Sequence, residues 1–120
     1  MSETDPIDRT ALDNLLIMFN DDTSFLQQVI DTYLADAVNL LATIRHAITH
    51  SNAAELRRAA HSLKSNSANL GATTLTGLAR ELEELGRVGN AAGACEKLIP
   101  LETEFTQVKA ALQQIRITGL

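Results

Sequence analysis

Residues 59–87 read AAHSLKSNSANLGATTLTGLARELEELGR, and the fold is decided here. On a helix turning 100° per residue, Leu56, Ala59, Ala60, Ser67 and Leu70 all fall within about 60° of Leu63, forming one inward stripe. His61 falls near 160°, on the opposite side, with Ala54, Arg57, Arg58, Ser65 and Ala68 around it. Lys64 stands one turn on, at the edge of the same face. Gly71 occupies the place of a left-handed helix stop, and Thr73 or Thr74 is the expected cap of the next helix. Leu75, Leu78, Leu82 and Leu85 line that helix, which Gly86 and Gly89 should end.

The same periodicity extends outward in both directions. Upstream, Asn52 and Glu55 have the spacing of a capping box and open the helix of the histidine. Before the break at Ser51, apolar residues from Phe25 to Ile48 follow helical spacing behind a cap at Asp22 or Thr23. That helix should reach about His50, roughly 40 Å at 1.5 Å per residue. A short helix over about residues 7–20 carries Ile7, Leu12, Leu15, Leu16 and Phe19. Downstream, Asn90 to about Ile117 places Cys95, Leu98, Leu101, Phe105, Val108, Leu112 and Ile115 on one expected inward face. Pro100 lies inside that pattern, so a kink or a late helix start is expected there. The expectation is all-α: one domain over residues 1–120, an antiparallel four-helix bundle over about 22–117, with the short N-terminal helix covering one end.

Composition agrees. Ala and Leu supply 35 of the 120 residues, while there are only four aromatics and two prolines, a balance that favours helix and leaves too little to line a sheet. A chain of this length folds without a metal or a disulfide, and the single cysteine excludes an internal bridge. With 15 acidic against 10 basic residues the formal net charge is −5, which argues against nucleic acid or an anionic membrane as partner. No apolar run approaches the length of a membrane span, and Met1 to Asp8 carries acids where a signal peptide carries bases. A cytoplasmic protein is expected. The brief polar lead after Met1 favours a free-standing one.

Against this acidic background, the segment from Ala54 to Ala68 holds three bases and one acid, a local +2 around one accessible imidazole. A neutral imidazole nitrogen is a nucleophile near pH 7, and neighbouring cations stabilise the charge of a transferred phosphoryl group. Small neighbours leave room for the active site of another protein. There is no P-loop and no nucleotide-binding glycine motif, so neither ATP binding nor self-phosphorylation is expected.

His61-Ser62-Leu63-Lys64, the small run Ser65 to Ala68, Leu70-Gly71-Ala72, Leu75, Leu78-Ala79 and Leu82-Glu83 resemble the signature of the histidine-containing phosphotransfer (HPt) domain of bacterial and fungal two-component phosphorelays. The resemblance implies a phosphoryl carrier that takes the group on His61 from the aspartate of a receiver domain and passes it to another response regulator. By the same resemblance Lys64 stabilises the phosphoryl group, and Glu83 hydrogen-bonds the second imidazole nitrogen, leaving Nε2 free. Ser65 departs from the pattern, standing where many members have glycine. Its hydroxymethyl narrows access slightly or donates to the phosphoryl oxygens, and activity is expected to survive. The implied partners are receiver domains or a hybrid sensor kinase, with Arg57 and Arg58 meeting an acidic rim. No cofactor is expected on this chain, since Mg²⁺ belongs to the receiver. A monomer is expected.

Two other readings compete. His46 and His50, four apart at a helix end, have a metal-compatible spacing but lack further ligands, Cys95 being expected inward and His61 on another helix. A helical adaptor that docks receivers without accepting phosphate is the other, and keeping both His61 and Lys64 would serve no chemical purpose in it.

Overall fold

The computed structural model describes residues 5–120. The polar lead at residues 1–4 lies outside the described residues. Five α-helices follow in order: α1 (Arg9–Met18), α2 (Thr23–Thr49), α3 (Ala53–Asn69), α4 (Thr73–Arg87) and α5 (Cys95–Thr118), with a 3₁₀ turn (Ala92–Ala94) before the last. The starts of α1, α2 and α3 are set by short polar side chains. Asp8 accepts from the Thr10 amide, Asp22 from Phe25 and Asn52 from Glu55, each at 3.1–3.2 Å. Asn90 accepts from Gly93 and starts the 3₁₀ turn.

Helices α2 to α5 form the antiparallel bundle. Ion pairs fix the register of α2 on α5: Asp31 meets Arg116 and Arg45 meets Glu102, so partners descend one helix as they ascend the other. Tyr33 with Ser67, and His46 with Glu55, do the same for α2 on α3. The core is one cluster in which Ile30, Ile44, Leu56, Leu63, Leu75, Leu82, Leu101 and Leu112 are sealed from water. The stripe of Leu56, Ala59, Ala60, Leu63, Ser67 and Leu70 is buried as its spacing requires. Ser67 is admitted because its hydroxyl pairs with the Tyr33 phenol at 2.8 Å.

The chain before α1 is pinned on the α3–α4 turn. The Asp8 amide donates to the Gly71 carbonyl at 2.7 Å, and Ile7 and Leu12 join the core. Gly71 has φ +76°, and a Cβ there would stand 2.4 Å from the Asp8 carbonyl oxygen, so both the turn and the docking of α1 require glycine.

Four local expectations are corrected. Cys95 is exposed, because Ala91, Ala94, Leu98, Leu101, Phe105, Val108, Leu112 and Ile115 take the inward positions at alternating spacings of three and four, a seam that passes one residue before the cysteine. α5 does not start late: Pro100 is its sixth residue and the helix continues through it, the unserved Glu96 carbonyl belonging to an exposed turn. α4 is not capped by Thr73 or Thr74, which lie inside its first turn. Its N-cap is Ala72, fully buried, with no side-chain cap bond. Gly86 does not end α4 but lies buried within it, and the helix stops after Arg87 with Gly89 at φ +78°.

Candidate functional site

The bundle presents the outer face of α3 beside the outer edge of α4. His61 is on that face with 59% of its side chain exposed. Ala54, Arg57, Arg58, Ser65 and Ala68 are exposed around it, as the helical angles require. The last turn of α4 approaches α3 closely because Gly86 meets the backbone of Ala53 and Arg57. A methyl group there would stand 2.7 Å from the Arg57 nitrogen and 2.9 Å from the Ala53 carbonyl oxygen. With no side chain between the two backbones at that point, Glu83, one turn back on α4, comes opposite His61 on α3.

Glu83 is the centre of the arrangement. Its Oε1 lies 3.0 Å from His61 Nδ1 and its Oε2 2.6 Å from Lys64 Nζ. The carboxylate accepts the ring proton at Nδ1, which selects the tautomer whose Nε2 carries the lone pair. Nε2 has no hydrogen-bond partner among the described residues. Oε2 is sealed from solvent and has only the Lys64 ammonium beside it. Lys64 first, and then His61, hold the Glu83 carboxyl below the ordinary carboxylate range, while its partial burial works the other way.

Arg57, Arg58, His61, Ser62 and Glu83 line a shallow cleft of about 490 Å³. The positive face is thus of two kinds. Lys64 is neutralised by Glu83, whereas Arg57 and Arg58 have no ion-pair partner among the described residues. Ser65 follows His61 by one turn and is exposed. Ser62, which lines the cleft, and the Lys64–Glu83 pair were not legible as site features. The cleft needs the relative placement of α3 and α4, and the signal for that placement was Gly86, read as a helix stop.

A second, larger groove of about 570 Å³ runs along α2, between α1 and the end of α3, lined by Leu15, Phe25, Val29, Tyr33, Asn69 and Leu70 among others. His46 and His50 lie elsewhere, stacked with ring centroids 4.1 Å apart. Their Nδ1 atoms are engaged by Glu55 and by the His46 carbonyl oxygen. Glu55 therefore serves His46 rather than returning a capping-box bond to Asn52. Among the described residues no three His, Cys, Asp or Glu side chains converge as a metal site, and no helix is long and apolar enough to cross a membrane.

Comparison with known proteins bears on the family and the fold. The family model of the Hpt domain matches residues 28–117. The crystal structure of histidine-containing phosphotransfer protein B (HptB) from Pseudomonas aeruginosa PAO1 superposes with a TM-score of 0.86 at 31% identity, covering 96% of each chain. A search of curated proteins found no match. The chain belongs to the Hpt domain family, and its role is histidine phosphotransfer in a phosphorelay.

Proposed function

We propose that His61 is the phosphoacceptor, taking a phosphoryl group from the aspartyl phosphate of one receiver domain and returning it to the aspartate of another. The observation that carries this reading is the imidazole whose Nδ1 is held by Glu83 while the rest of the ring stands in an open cleft that Arg57 and Arg58 also line. The Nε2 lone pair attacks phosphorus in line, an N–P bond forms, and the P–O bond to the receiver's aspartate breaks with its electron pair left on the aspartate oxygen. The Nδ1 proton stays on the ring, where Glu83 balances the positive charge that develops. The reverse sequence delivers the group.

This chain's residues bind, orient and neutralise. Magnesium would be supplied by the receiver, because none of the groups around His61 other than Glu83 is a carboxylate, and Glu83 is already engaged. Docking uses the small and apolar surface of α2 to α4 around His61, with Arg57 and Arg58 facing the acidic rim of the receiver. Ser65 and Ala68 keep the approach low. We place the carrier in the cytoplasm, as a monomer without nucleotide chemistry of its own.

The experiment is transfer from several phosphorylated receiver domains to the native chain and to His61→Gln. The expected product is acid-labile, alkali-stable label on the native chain and none on the variant, while ATP alone labels neither. Binding of receivers without any label would sink the carrier reading in favour of a docking adaptor.

A further inference from the structure

One carboxylate serves both groups that a phosphoryl on Nε2 would need. Glu83 Oε1 is 3.0 Å from the imidazole and its Oε2 2.6 Å from the Lys64 ammonium. Three-quarters of the Lys64 side chain and four-fifths of that of Glu83 are withdrawn from solvent, so the pair is less screened than a surface bridge. Lys64 is three residues from His61 on α3, which places their side chains side by side on the helix surface. The two groups share that carboxylate, which places the ammonium on the Nδ1 side of the ring. A phosphoryl group on Nε2, the other nitrogen of the same ring, would bring about two negative charges and three acceptor oxygens within reach of a lysine that turns from Glu83 toward it, by analogy with the charge of a phosphorylated hydroxyl.

We propose that Glu83 is a positioning residue that holds Lys64 in reserve, so that the carrier reaches its phosphorylated state only by exchanging the Lys64–Glu83 pair for a Lys64–phosphoryl contact. The exchange deepens the reading of His61 as phosphoacceptor and rests on it. Its consequence is a phosphoryl group bound less tightly than Lys64 alone would bind it. Two anionic acceptors compete for one ammonium, and the one already in place must give way. A carrier that must release its cargo to a second receiver benefits from that balance, because a freely available lysine would favour the loaded state.

The substitution that separates the two oxygens is Glu83→Gln. Its amide oxygen still accepts from Nδ1–H, while the negative charge that holds Lys64 is gone. The expected result is a shift of the transfer equilibrium with a phosphorylated receiver toward the loaded carrier by a factor on the order of five, the scale of one partly exposed ion pair. The half-life of the phosphohistidine should lengthen in the same direction. In a Lys64→Ala background that shift toward the loaded carrier should vanish, leaving only the opposite effect of removing the charge that balances the imidazolium. ¹⁵N spectra of the His61 ring in Glu83→Gln should still show the proton on Nδ1, which separates freeing of the lysine from loss of ring orientation.

Phosphoramidate, a small donor that needs no docking, provides the second arm. Label on the native chain from phosphoramidate, with equal equilibrium and lifetime in native and Glu83→Gln proteins, would overturn the reserve role and leave His61 as acceptor. An effect of Glu83→Gln that persists undiminished in Lys64→Ala would overturn it also, since the carboxylate would then act through the imidazole alone. No label on His61 from any donor would remove the carrier reading and this proposal together.

Discussion

A carboxylate that holds an imidazole with one oxygen and an ammonium with the other stays ionised further into acid than a free glutamate. Lys64, and after it His61, lowers the Glu83 pKa in the folded protein, so the contribution of the cluster to stability is present above the ordinary glutamate value and is lost only as pH falls through the lower, folded value. Carboxyl ¹³C titration should therefore find Glu83 mostly ionised at pH 4.5, the unperturbed value, and Lys64→Ala should raise its midpoint. A native midpoint at or above 4.5 would mean that the ion pair is not held in solution. Tyr33 gives the opposite case. Burial pushes its phenol up to about 12, against a smaller opposing effect of the Ser67 hydroxyl. A folded pKa above the unfolded 10.0 means that the stabilisation is complete below pH 10 and disappears as pH rises through about 12. Tyr33 is the one tyrosine of a chain without tryptophan, so tyrosinate absorbance reports it directly, and a midpoint near 10 in the folded protein would show the phenol open to water. At this scale the exposed histidine was legible from angle alone. The second bond of Glu83 was not, because a pair across two helices requires their register.

Between elements, the approach of α3 to α4 depends on one missing side chain. Gly86→Ala places a methyl group 2.7 Å from the Arg57 nitrogen, and relief requires the helices to part. The expected cost is about 1–3 kcal/mol by urea denaturation, the scale of overpacking a tight contact. Weakening of the His61–Glu83 bond should accompany it, seen as a shift of the His61 ring resonances. Gly77 is the control on the same helix: a Cβ there meets nothing within 4 Å, so Gly77→Ala should stabilise by about 0.5–1 kcal/mol through helix propensity alone. Equal effects of the two substitutions would refute the close-approach account. The helices themselves were readable because apolar spacing and the caps Asp22 and Asn52 agree. Misreadings cluster where a small residue had two possible uses. Gly86 has the spacing of a stop but is a contact, Ala72 takes the N-cap position because the core needs it, and Ala94 displaces Cys95 from the seam of α5.

Over the whole molecule, charge is divided unevenly. The segment from Ala54 to Ala68 carries a net +2 and the remainder −7, within an overall −5. Because Lys64 is compensated by Glu83, the outward positive field at the site comes from Arg57 and Arg58, which line the cleft with His61. Exposed charges of this kind act over a screening length of about 10 Å at 0.1 M salt and influence encounter more than the bound state. The double variant Arg57→Ala, Arg58→Ala should accordingly slow association with an acidic-rimmed receiver by about three- to tenfold at low ionic strength. Native and variant rates should converge as salt is raised. Once receiver is saturating, the rate of phosphoryl transfer should be unchanged, because His61, Lys64 and Glu83 are intact and neither arginine touches them by ion pair or hydrogen bond. Stopped-flow association and rapid-quench transfer on the same pair of proteins distinguish the two steps. A variant that associates normally but transfers slowly at saturation would move the arginines from steering into the reacting site, and the electrostatic division drawn between them and Lys64 would have to be abandoned.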